Sequence, residues 1–305
     1  MVIYTLFLLF KACSYILSIM FKKLVRPTYG YSRSYSGKLN AVILDWSGTT
    51  ADKYVIAPAV VFKEVFEKQG VPISMKEARQ PMGLRKDLHI QAITEIPEVR
   101  KRWYEKFNRD PNNDDVVNMF RDFVPAQLAC LPKYCGLIPG AAESIMKLRN
   151  NYGLKIGSTT GFSEEMVDIL LAESAKQGYV PDSSVAGDSV KNGARPSPHM
   201  VYKNLDNLNV SPIQSVLKVD DTVGGVGEGL SAGCWTVGLS RYSNYMDVDS
   251  LEHEEELTEK EMEYKHDISK AILRQCGAHY VVDDITYLPG VVEDINKRLM
   301  RGEKP

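Results

Sequence analysis

Polar residues follow several short apolar runs of this sequence, and their types suit the handling of a phosphoryl group. Asp45 ends the run Ala41-Val-Ile-Leu, and the other candidates that end or separate later runs are Thr159, Thr160, Arg195, Asp220 and Asp221. In open α/β sheets ligands bind beyond the carboxyl ends of the strands, so we expect these side chains to converge. Carboxylates suit Mg²⁺, and Arg and Thr suit phosphate oxygens. The set predicts a site for phosphoryl transfer.

Each of these residues also has an ordinary structural explanation. An Asp that ends a buried strand is often the N-cap of the following helix. For Asp45 a functional role is favoured, because Gly48-Thr-Thr50 follows it and a second acidic pair ends a later run. The glycine-rich segment 224–229 does not predict a dinucleotide site, since it follows the third strand and lacks the GxGxxG spacing.

The elements that must position these residues alternate between strands and helices. Short apolar runs, typical of strands buried on both faces, lie at 41–45, 154–158, 215–219, 234–238 and 279–282. Helical patterns at 141–150 and 163–177 lie between some of them. This order predicts an α/β fold with a doubly wound parallel sheet.

The region between Asp52 and Pro139 breaks this alternation, because its patterning is helical throughout. One apolar stripe, which stops at residues 70–72, consists of Val61, Phe62, Val65 and Phe66. More helical sequence runs from Glu98 to Leu131. We therefore predict an all-helical insertion after the first strand, which would form a small second domain.

Together the candidate residues resemble the four sequence motifs of the haloacid dehalogenase superfamily. The matching segments are Asp45-Trp-Ser-Gly-Thr-Thr50, Ser158-Thr-Thr160, Arg195 and Asp220-Asp221. Residues 40–295 are most similar to one branch, the phosphonoacetaldehyde hydrolase family (phosphonatases), because Glu77–His89 looks like the cap segment that carries that family's Schiff-base lysine. The resemblance implies a Rossmann-like core with a mobile helical cap, an aspartate nucleophile and Mg²⁺.

The resemblance also implies a role for each site residue. Lys86 would form an imine with the aldehyde of phosphonoacetaldehyde, His89 would relay protons, and Asp45 would attack phosphorus to give an aspartyl phosphate. The residues assigned to Mg²⁺ are Asp45, Ser47 (through its backbone carbonyl) and Asp221. The residues assigned to the substrate are Met82, Gly83, Thr160 and Arg195. The products would be acetaldehyde and phosphate, and the family suggests a homodimer that contacts through cap helices.

Two features of the residues themselves favour cleavage of a C–P bond. An ester phosphatase of the superfamily needs an acid two residues after the nucleophile to protonate the leaving oxygen, but position 47 is Ser. A C–P bond has no such oxygen, and an iminium on Lys86 would accept its electrons. Gly83 predicts a turn that places Lys86 in the first turn of a helix, where the dipole and burial lower the amine pKa. His89, three residues later, would share that helix face.

The sequence departs from the family pattern at five positions. Ser47 stands where Ala is typical, Val55 where Cys is frequent in bacterial members, and Phe162 where Tyr is frequent. Gly225 replaces a second Asp four residues after Asp221, and the loss of that carboxylate would weaken metal orientation. Asp220, where the family has Gly, is a candidate for compensating that loss.

The basic N-terminus sets the expected domain boundaries and location. Residues 1–44 carry six Lys and Arg and no acidic residue, and an apolar run at 2–20 precedes most of this charge. We expect residues 1–37 to be an organellar transit segment, mitochondrial for example, or a membrane anchor facing the cytoplasm, with membrane contact through residues 2–20. The core would comprise 38–54 and 137–305, and the cap 55–136.

Composition excludes several function classes and leaves alternatives open. A net charge of −2 and the absence of a basic block with aromatics give no indication of nucleic-acid binding. Five cysteines without a CxxC pair indicate reduced thiols rather than a zinc site. A charged stretch from Met246 to His266 predicts a solvated helix. Two alternative functions are a superfamily phosphatase or phosphomutase and a non-catalytic phosphonate-binding relative, the latter suggested by Gly225.

Overall fold

A parallel sheet forms the centre of the computed structural model, which describes residues 35–191 and 195–305. Its strand order is β3-β2-β1-β4-β5-β6. The strands are β1 Ala41–Leu44, β2 Lys155–Thr159, β3 Ser183–Val185, β4 Val216–Asp220, β5 Trp235–Leu239 and β6 Tyr280–Val282. The order runs outward in both directions from β1, which confirms the predicted doubly wound α/β fold.

The apolar runs of the sequence match five of these strands within about one residue. Ala41 to Leu44 are fully buried, because β1 pairs with β2 on one side and with β4 on the other. β3 was not predicted; it is three residues long and begins Ser183-Ser184. It lies at the sheet edge beside β2, where a short polar strand gives no apolar signal.

Five α-helices of the described residues lie between Asp52 and Pro139, where the sequence predicts a helical insertion. They are α1 Ile56–Lys68, α2 Met75–Arg79, α3 Lys86–Glu95, α4 Pro97–Phe107 and α5 Asn113–Cys130. The helices that follow are α6 Ala141–Tyr152, α7 Glu164–Lys176, α8 His199–Leu208, α9 Val223–Ala232, α10 Leu251–Glu256, α11 Glu259–Gln275 and α12 Leu288–Met300. The charged stretch predicted as one solvated helix is divided between α10 and α11. α11 is mostly solvated but buries Ser269 and Leu273.

We use the name helical insertion for residues 55–136. The stripe predicted on α1 is buried, and Phe62 stacks on Phe123 of α5 with ring centroids 4.5 Å apart. The chain enters the insertion through Asp52, Tyr54 and Val55, whose φ angles are 51°, 63° and 56°. A left-handed backbone is rare for a β-branched residue. Residues Ser36–Pro305 form one compact unit, and their division into cap and core stays a prediction.

Nearly all of the predicted N-terminal segment, 1–37, lies outside the described residues, including the proposed membrane contact at 2–20. Across 35–191 and 195–305, no helix combines the length and apolar character needed to cross a membrane.

Candidate active site

Three carboxylates converge where β1 and β4 end. Asp45 directly follows β1, Asp220 ends β4 and Asp221 follows it. An oxygen of each carboxylate lies within 4.8 Å of the others, and all three side chains are buried. β1 and β4 are adjacent parallel strands, so their carboxyl ends meet at the same edge of the sheet. The predicted convergence at this edge is observed.

Burial and mutual repulsion change the pKa values of these acids. Burial, opposed by Arg195, raises the pKa of Asp45 to about 6. Burial, with the neighbouring charges of Asp220 and Asp45, raises the pKa of Asp221 well above its usual range. For Asp220, burial also acts upward, but Arg195 and Lys218 outweigh it and lower the pKa. Asp45 and Asp221 therefore lack the positive charge needed to stabilise both as anions.

Two buried cations hold part of this cluster. Arg195 donates from Nη2 to Asp45 Oδ1 at 2.5 Å and lies 3.1 Å from Asp220 Oδ2. Its Nε donates to Glu228 Oε2 at 3.0 Å, and this second contact fixes the orientation of the guanidinium plane. Lys218 donates to Asp220 Oδ2 at 2.6 Å. Asp220 and Glu228 thus hold the Arg195 guanidinium in place, with Nη2 at the Asp45 carboxylate.

The donor set fits a divalent cation. Four buried carboxylates (Asp45, Asp220, Asp221 and Glu228) face two buried cations, so the fully ionised cluster carries a net charge of −2. Asp221 Oδ1 is buried without a hydrogen-bond partner. A Cβ on Gly48 would lie 2.4 Å from Asp221 Oδ2, so glycine lets this carboxylate approach the loop after β1. Clustered oxygen ligands with excess negative charge are what Mg²⁺ requires.

Lys86 begins α3, so it lies in the first turn of a helix, as the sequence predicts. Its side chain is buried, with 6% of the residue exposed. Burial lowers the pKa of the amine from 10.5 to about 8, against the opposing attraction of Asp45. Nζ lies 4.6 Å from the Phe162 ring centre and 5.8 Å from that of Phe62. The amine is thus surrounded by apolar rings, and at physiological pH a larger fraction of it is neutral than of an exposed lysine.

His89 lies one turn further along α3 and is fully buried. It stacks on Phe62 with ring centroids 3.9 Å apart, and Nε2 lies 2.8 Å from the Ala78 carbonyl oxygen. Burial and the charge of Lys86 hold the pKa of His89 well below its usual range. A carbonyl can only accept, so Nε2 carries the proton. Nδ1 is therefore an unprotonated acceptor, and it is buried without a hydrogen-bond partner.

A small cavity, which we call the inner cavity, joins Asp45 to Lys86. Its volume is about 20 Å³, room for roughly one water molecule. The predicted site residues that line it are Asp45, Ser47, Met82, Gly83, Lys86, Thr160 and Arg195. Val55 and Phe162, two of the departures from the family pattern, also line it. Asp221 instead belongs to the carboxylate cluster, and His89 lies behind Lys86 against Phe62.

Glycines bring the helical insertion close to the sheet around this cavity. Gly83 has a φ of 98°, and a Cβ on it would lie 2.7 Å from Thr222 Oγ1. A Cβ on Gly161 would lie 2.4 Å from the Leu84 carbonyl oxygen. A larger cavity of about 230 Å³, the outer cavity, shares Lys86, Gly161 and Phe162 with the inner one. Phe162 and Lys86 therefore separate the two spaces.

Lys218 and Glu228 belong to the site but were not predicted as site residues. Both are completely buried, and they pair with Asp220 and Arg195 respectively. Lys218 could have been predicted from the sequence, since a lysine inside the apolar run of β4 must have a buried partner. The sequence gives less indication for Glu228, because a charged residue in the glycine-rich α9 could equally face solvent.

Comparisons with known proteins agree with this geometry. Residues 42–239 match the family model described as haloacid dehalogenase-like hydrolase. The phosphonoacetaldehyde hydrolase of Syntrophobacter fumaroxidans is 39% identical over 90% of this chain and 98% of its own length. The phosphonoacetaldehyde hydrolase of Bacillus cereus is 41% identical over 86% of this chain and 98% of its own length. A crystal structure of a phosphonoacetaldehyde hydrolase-like protein from Oleispira antarctica, 35% identical, superposes with a TM-score of 0.86 over 92% of this chain and all of its own.

These matches show that the chain is a hydrolase that belongs to the haloacid dehalogenase superfamily. The matched regions cover 98% of the length of two of these relatives, and both are named phosphonoacetaldehyde hydrolase. The chain accordingly belongs to the phosphonoacetaldehyde hydrolase branch of that superfamily, as its motifs predict.

The prediction of an organellar location or a membrane anchor is wrong. The relatives that match most of the chain come from bacteria, which have no mitochondria, and they are named as hydrolases. The prediction rested on charge and hydropathy in residues 1–44, and a basic, apolar segment is a weak signal because several kinds of segment share that composition.

Proposed function

We propose that this protein hydrolyses the C–P bond of phosphonoacetaldehyde to acetaldehyde and phosphate. The observation that carries the proposal is the inner cavity, which places the buried amine of Lys86 and the carboxylate of Asp45 on one small space. A molecule with an aldehyde at one end and a phosphonate at the other would meet both groups. The names of the relatives from Syntrophobacter fumaroxidans and Bacillus cereus support this substrate.

Lys86 begins the reaction by condensing with the aldehyde to form an imine. Only the neutral amine attacks a carbonyl, and with a pKa of about 8 roughly a tenth of it is neutral at pH 7. An amine at its ordinary pKa would be neutral about 300-fold less often at that pH. Burial among Phe62 and Phe162 thus prepares the nucleophile without a strong base. His89 is the proposed proton relay for this step, and its buried Nδ1, which has no hydrogen-bond partner, supports that role.

Asp45 then attacks phosphorus. The P–C bond breaks, its electron pair moves into the protonated imine to give an enamine, and an aspartyl phosphate remains. Arg195 and Thr160 bind the phosphonate oxygens, and Met82 and Gly83 enclose the substrate. Water hydrolyses the acyl phosphate and the enamine, which releases phosphate and acetaldehyde and restores both side chains. Ser47 offers no carboxylic acid, and none is required, because no ester oxygen leaves.

Mg²⁺ fits the carboxylate cluster, where Asp45, Asp221 and the Ser47 backbone carbonyl would hold it. When bound, it supplies positive charge that offsets the repulsion between a phosphonate and the Asp45 carboxylate. The uncompensated charge of the cluster and the unpaired Asp221 Oδ1 support this assignment.

The inner cavity must enlarge for the substrate to bind. A volume of about 20 Å³ holds roughly one water, whereas phosphonoacetaldehyde has several times that size. We propose that the helical insertion moves as a cap relative to the sheet, with the left-handed residues Asp52, Tyr54 and Val55 at its hinge. Homodimer formation through the helices of the insertion is part of the same proposal, and exposed Tyr104 and Val117 on α4 and α5 support it.

Borohydride trapping tests the mechanism directly. Reduction in the presence of phosphonoacetaldehyde, followed by peptide mass mapping, should find a covalent adduct on Lys86. Lys86→Arg should abolish turnover, because a guanidinium stays protonated and forms no imine. Lys76→Arg is the matched control, since Lys76 is an exposed lysine of the same insertion, and it should retain activity.

Three outcomes would contradict the proposal. Active wild-type protein without an adduct would exclude the imine, and activity in Lys86→Arg would exclude Lys86 as its source. Turnover of sugar phosphates at rates above that of phosphonoacetaldehyde would instead favour a phosphatase or phosphomutase.

A further inference from the structure

A buried asparagine lies between the carboxylate cluster and the helical insertion. Asn244 begins a short 3-10 helix, Asn244–Met246, in the segment that follows β5, and only 3% of it is exposed. Its backbone N–H donates to Asp221 Oδ2 at 2.8 Å, and its side-chain Nδ2 donates to the Arg79 carbonyl oxygen at 3.1 Å. The hydroxyl of Ser243 donates to the Asp221 carbonyl oxygen at 3.0 Å and holds the same segment against the end of β4. One residue thus contacts a proposed metal ligand and the last residue of α2.

The Arg79 carbonyl oxygen also positions the turn that leads to Lys86. It accepts from the backbone N–H of Met82 at 3.0 Å, and Gly83 follows directly. Met82, Gly83 and Lys86 all line the inner cavity, and Lys86 begins α3. Because Asn244 and Met82 donate to the same oxygen, Asn244 fixes the end of α2 from which this turn starts.

The Arg79 side chain strengthens this connection. Its guanidinium is buried, and Nη1 donates to the Tyr54 carbonyl oxygen and lies 3.4 Å from Asn244 Oδ1. Nη2 donates to the Val248 carbonyl oxygen, and Nε lies 3.7 Å from Asp249 Oδ1. Tyr54 is one of the left-handed residues at the entrance of the helical insertion. The guanidinium therefore joins that entrance to the segment after β5, a set of contacts that a planar cation with several donors is suited to make.

We propose that Asn244 is a positioning residue that couples the Asp221 carboxylate to the turn before Lys86 and acts on that turn through Arg79. Its backbone fixes one part and its side chain fixes the other, so a shift of either part is transmitted through a single buried residue. A cation held by Asp221 would then favour the arrangement in which the insertion covers Lys86. The inference rests on the proposed function for the roles of Asp221 and Lys86, whereas the coupling itself is measurable without turnover.

The reactivity of Lys86 toward a small aldehyde measures the coupling. Acetaldehyde with cyanoborohydride alkylates accessible neutral amines, and peptide mass mapping gives the rate at Lys86 with and without Mg²⁺ at one pH. In the wild type we expect Mg²⁺ to slow this labelling about fivefold or more, because the bound cation holds Asp221 and, through Asn244, keeps the insertion closed. By linkage, loss of the coupling should lower the affinity for Mg²⁺, measured by calorimetry, by no more than the same factor.

Two substitutions of Asn244 remove the donor to the Arg79 carbonyl in different ways. Asn244→Ala deletes the side chain, and Asn244→Asp keeps its shape but leaves an oxygen where the donor stood. Both proteins should label Lys86 faster than the wild type, with a rate that no longer depends on Mg²⁺. Asn244 and Arg79 line a cavity of about 640 Å³, so water can replace the lost hydrogen bond, and urea unfolding should show a modest loss of stability. Asn118→Asp, a change of an exposed asparagine on α5, is the matched control and should behave as the wild type.

Labelling of Lys86 in both Asn244 variants that keeps the wild-type dependence on Mg²⁺ would overturn the inference. A wild-type rate that does not respond to Mg²⁺ would overturn it as well, and so would the same loss of response in Asn118→Asp. If the coupling is present and depends on Asn244 in a protein that never cleaves phosphonoacetaldehyde, the proposed function fails and the inference stands. An active enzyme without the coupling would reject the inference alone.

Discussion

Replacing Lys86 by Met should stabilise the protein while it abolishes activity. The amine is buried among Phe62 and Phe162, and a charge there is costly. A pKa that falls from 10.5 to about 8 on folding means that the protonated amine disfavours the folded state by about 3 kcal/mol. Methionine has a similar length and no charge. We expect Lys86→Met to raise the free energy of unfolding at pH 7 by up to about 3 kcal/mol.

The gain should depend on pH in a defined direction. Below pH 8 the amine is protonated in both folded and unfolded protein, so the full cost is present. Between pH 8 and 10.5 the folded protein loses the proton while the unfolded chain keeps it, so the wild type gains stability as the pH rises. The advantage of Lys86→Met should therefore shrink through this interval and its charge-dependent part should vanish above it.

Urea unfolding followed by tryptophan fluorescence measures both effects, since Trp46, Trp103 and Trp235 are all buried. Lys101→Met, a change of an exposed lysine on α4, is the control and should give a small difference without this pH dependence. A Lys86→Met protein that is less stable than the wild type at pH 7, or an advantage that stays constant up to pH 10.5, would refute the reasoning.

Two further substitutions test the surroundings of the inner cavity. In steady-state assays, Gly83→Ala should reduce activity at least tenfold, because the backbone is left-handed and the new methyl would lie 2.7 Å from Thr222 Oγ1. Gly153→Ala is the control for backbone strain, since Gly153 is also left-handed but has open space around it. Glu228→Gln should lower the unfolding free energy by about 1–3 kcal/mol, since Arg195 and Lys218 lose a buried countercharge, and urea unfolding should show little change for the exposed Glu143→Gln. Activity of Gly83→Ala equal to that of Gly153→Ala, or a Glu228→Gln protein as stable as the wild type, would contradict the respective argument.

The sequence alone predicted five of the six strands and the positions of several polar residues that the structure brings together. Apolar runs such as 41–45 and 215–219 predict buried strands, because a strand covered on both faces needs apolar side chains throughout. A polar residue at the end of such a run must lie at the carboxyl edge of a parallel sheet, so Asp45 and Asp221 were predictable. Lys86 was predictable as well, from the turn at Gly83 and its place in a recognisable segment.

The sequence did not reveal which long-range pairs complete the site. Lys218, Glu228 and Arg195 form buried ion pairs between β4, α9 and the segment before α8, and no local spacing encodes contacts between distant parts of the chain. The same holds for Gly225, which looks like the loss of a carboxylate in the sequence and is required by the carboxylate of Asp220 in the structure.

Local patterning thus determined where most strands end and which polar side chains follow them, because those features depend on neighbours in the chain. The tertiary structure decided which charges neutralise one another and how strongly burial alters Lys86, because both depend on distances through space and on the exclusion of water.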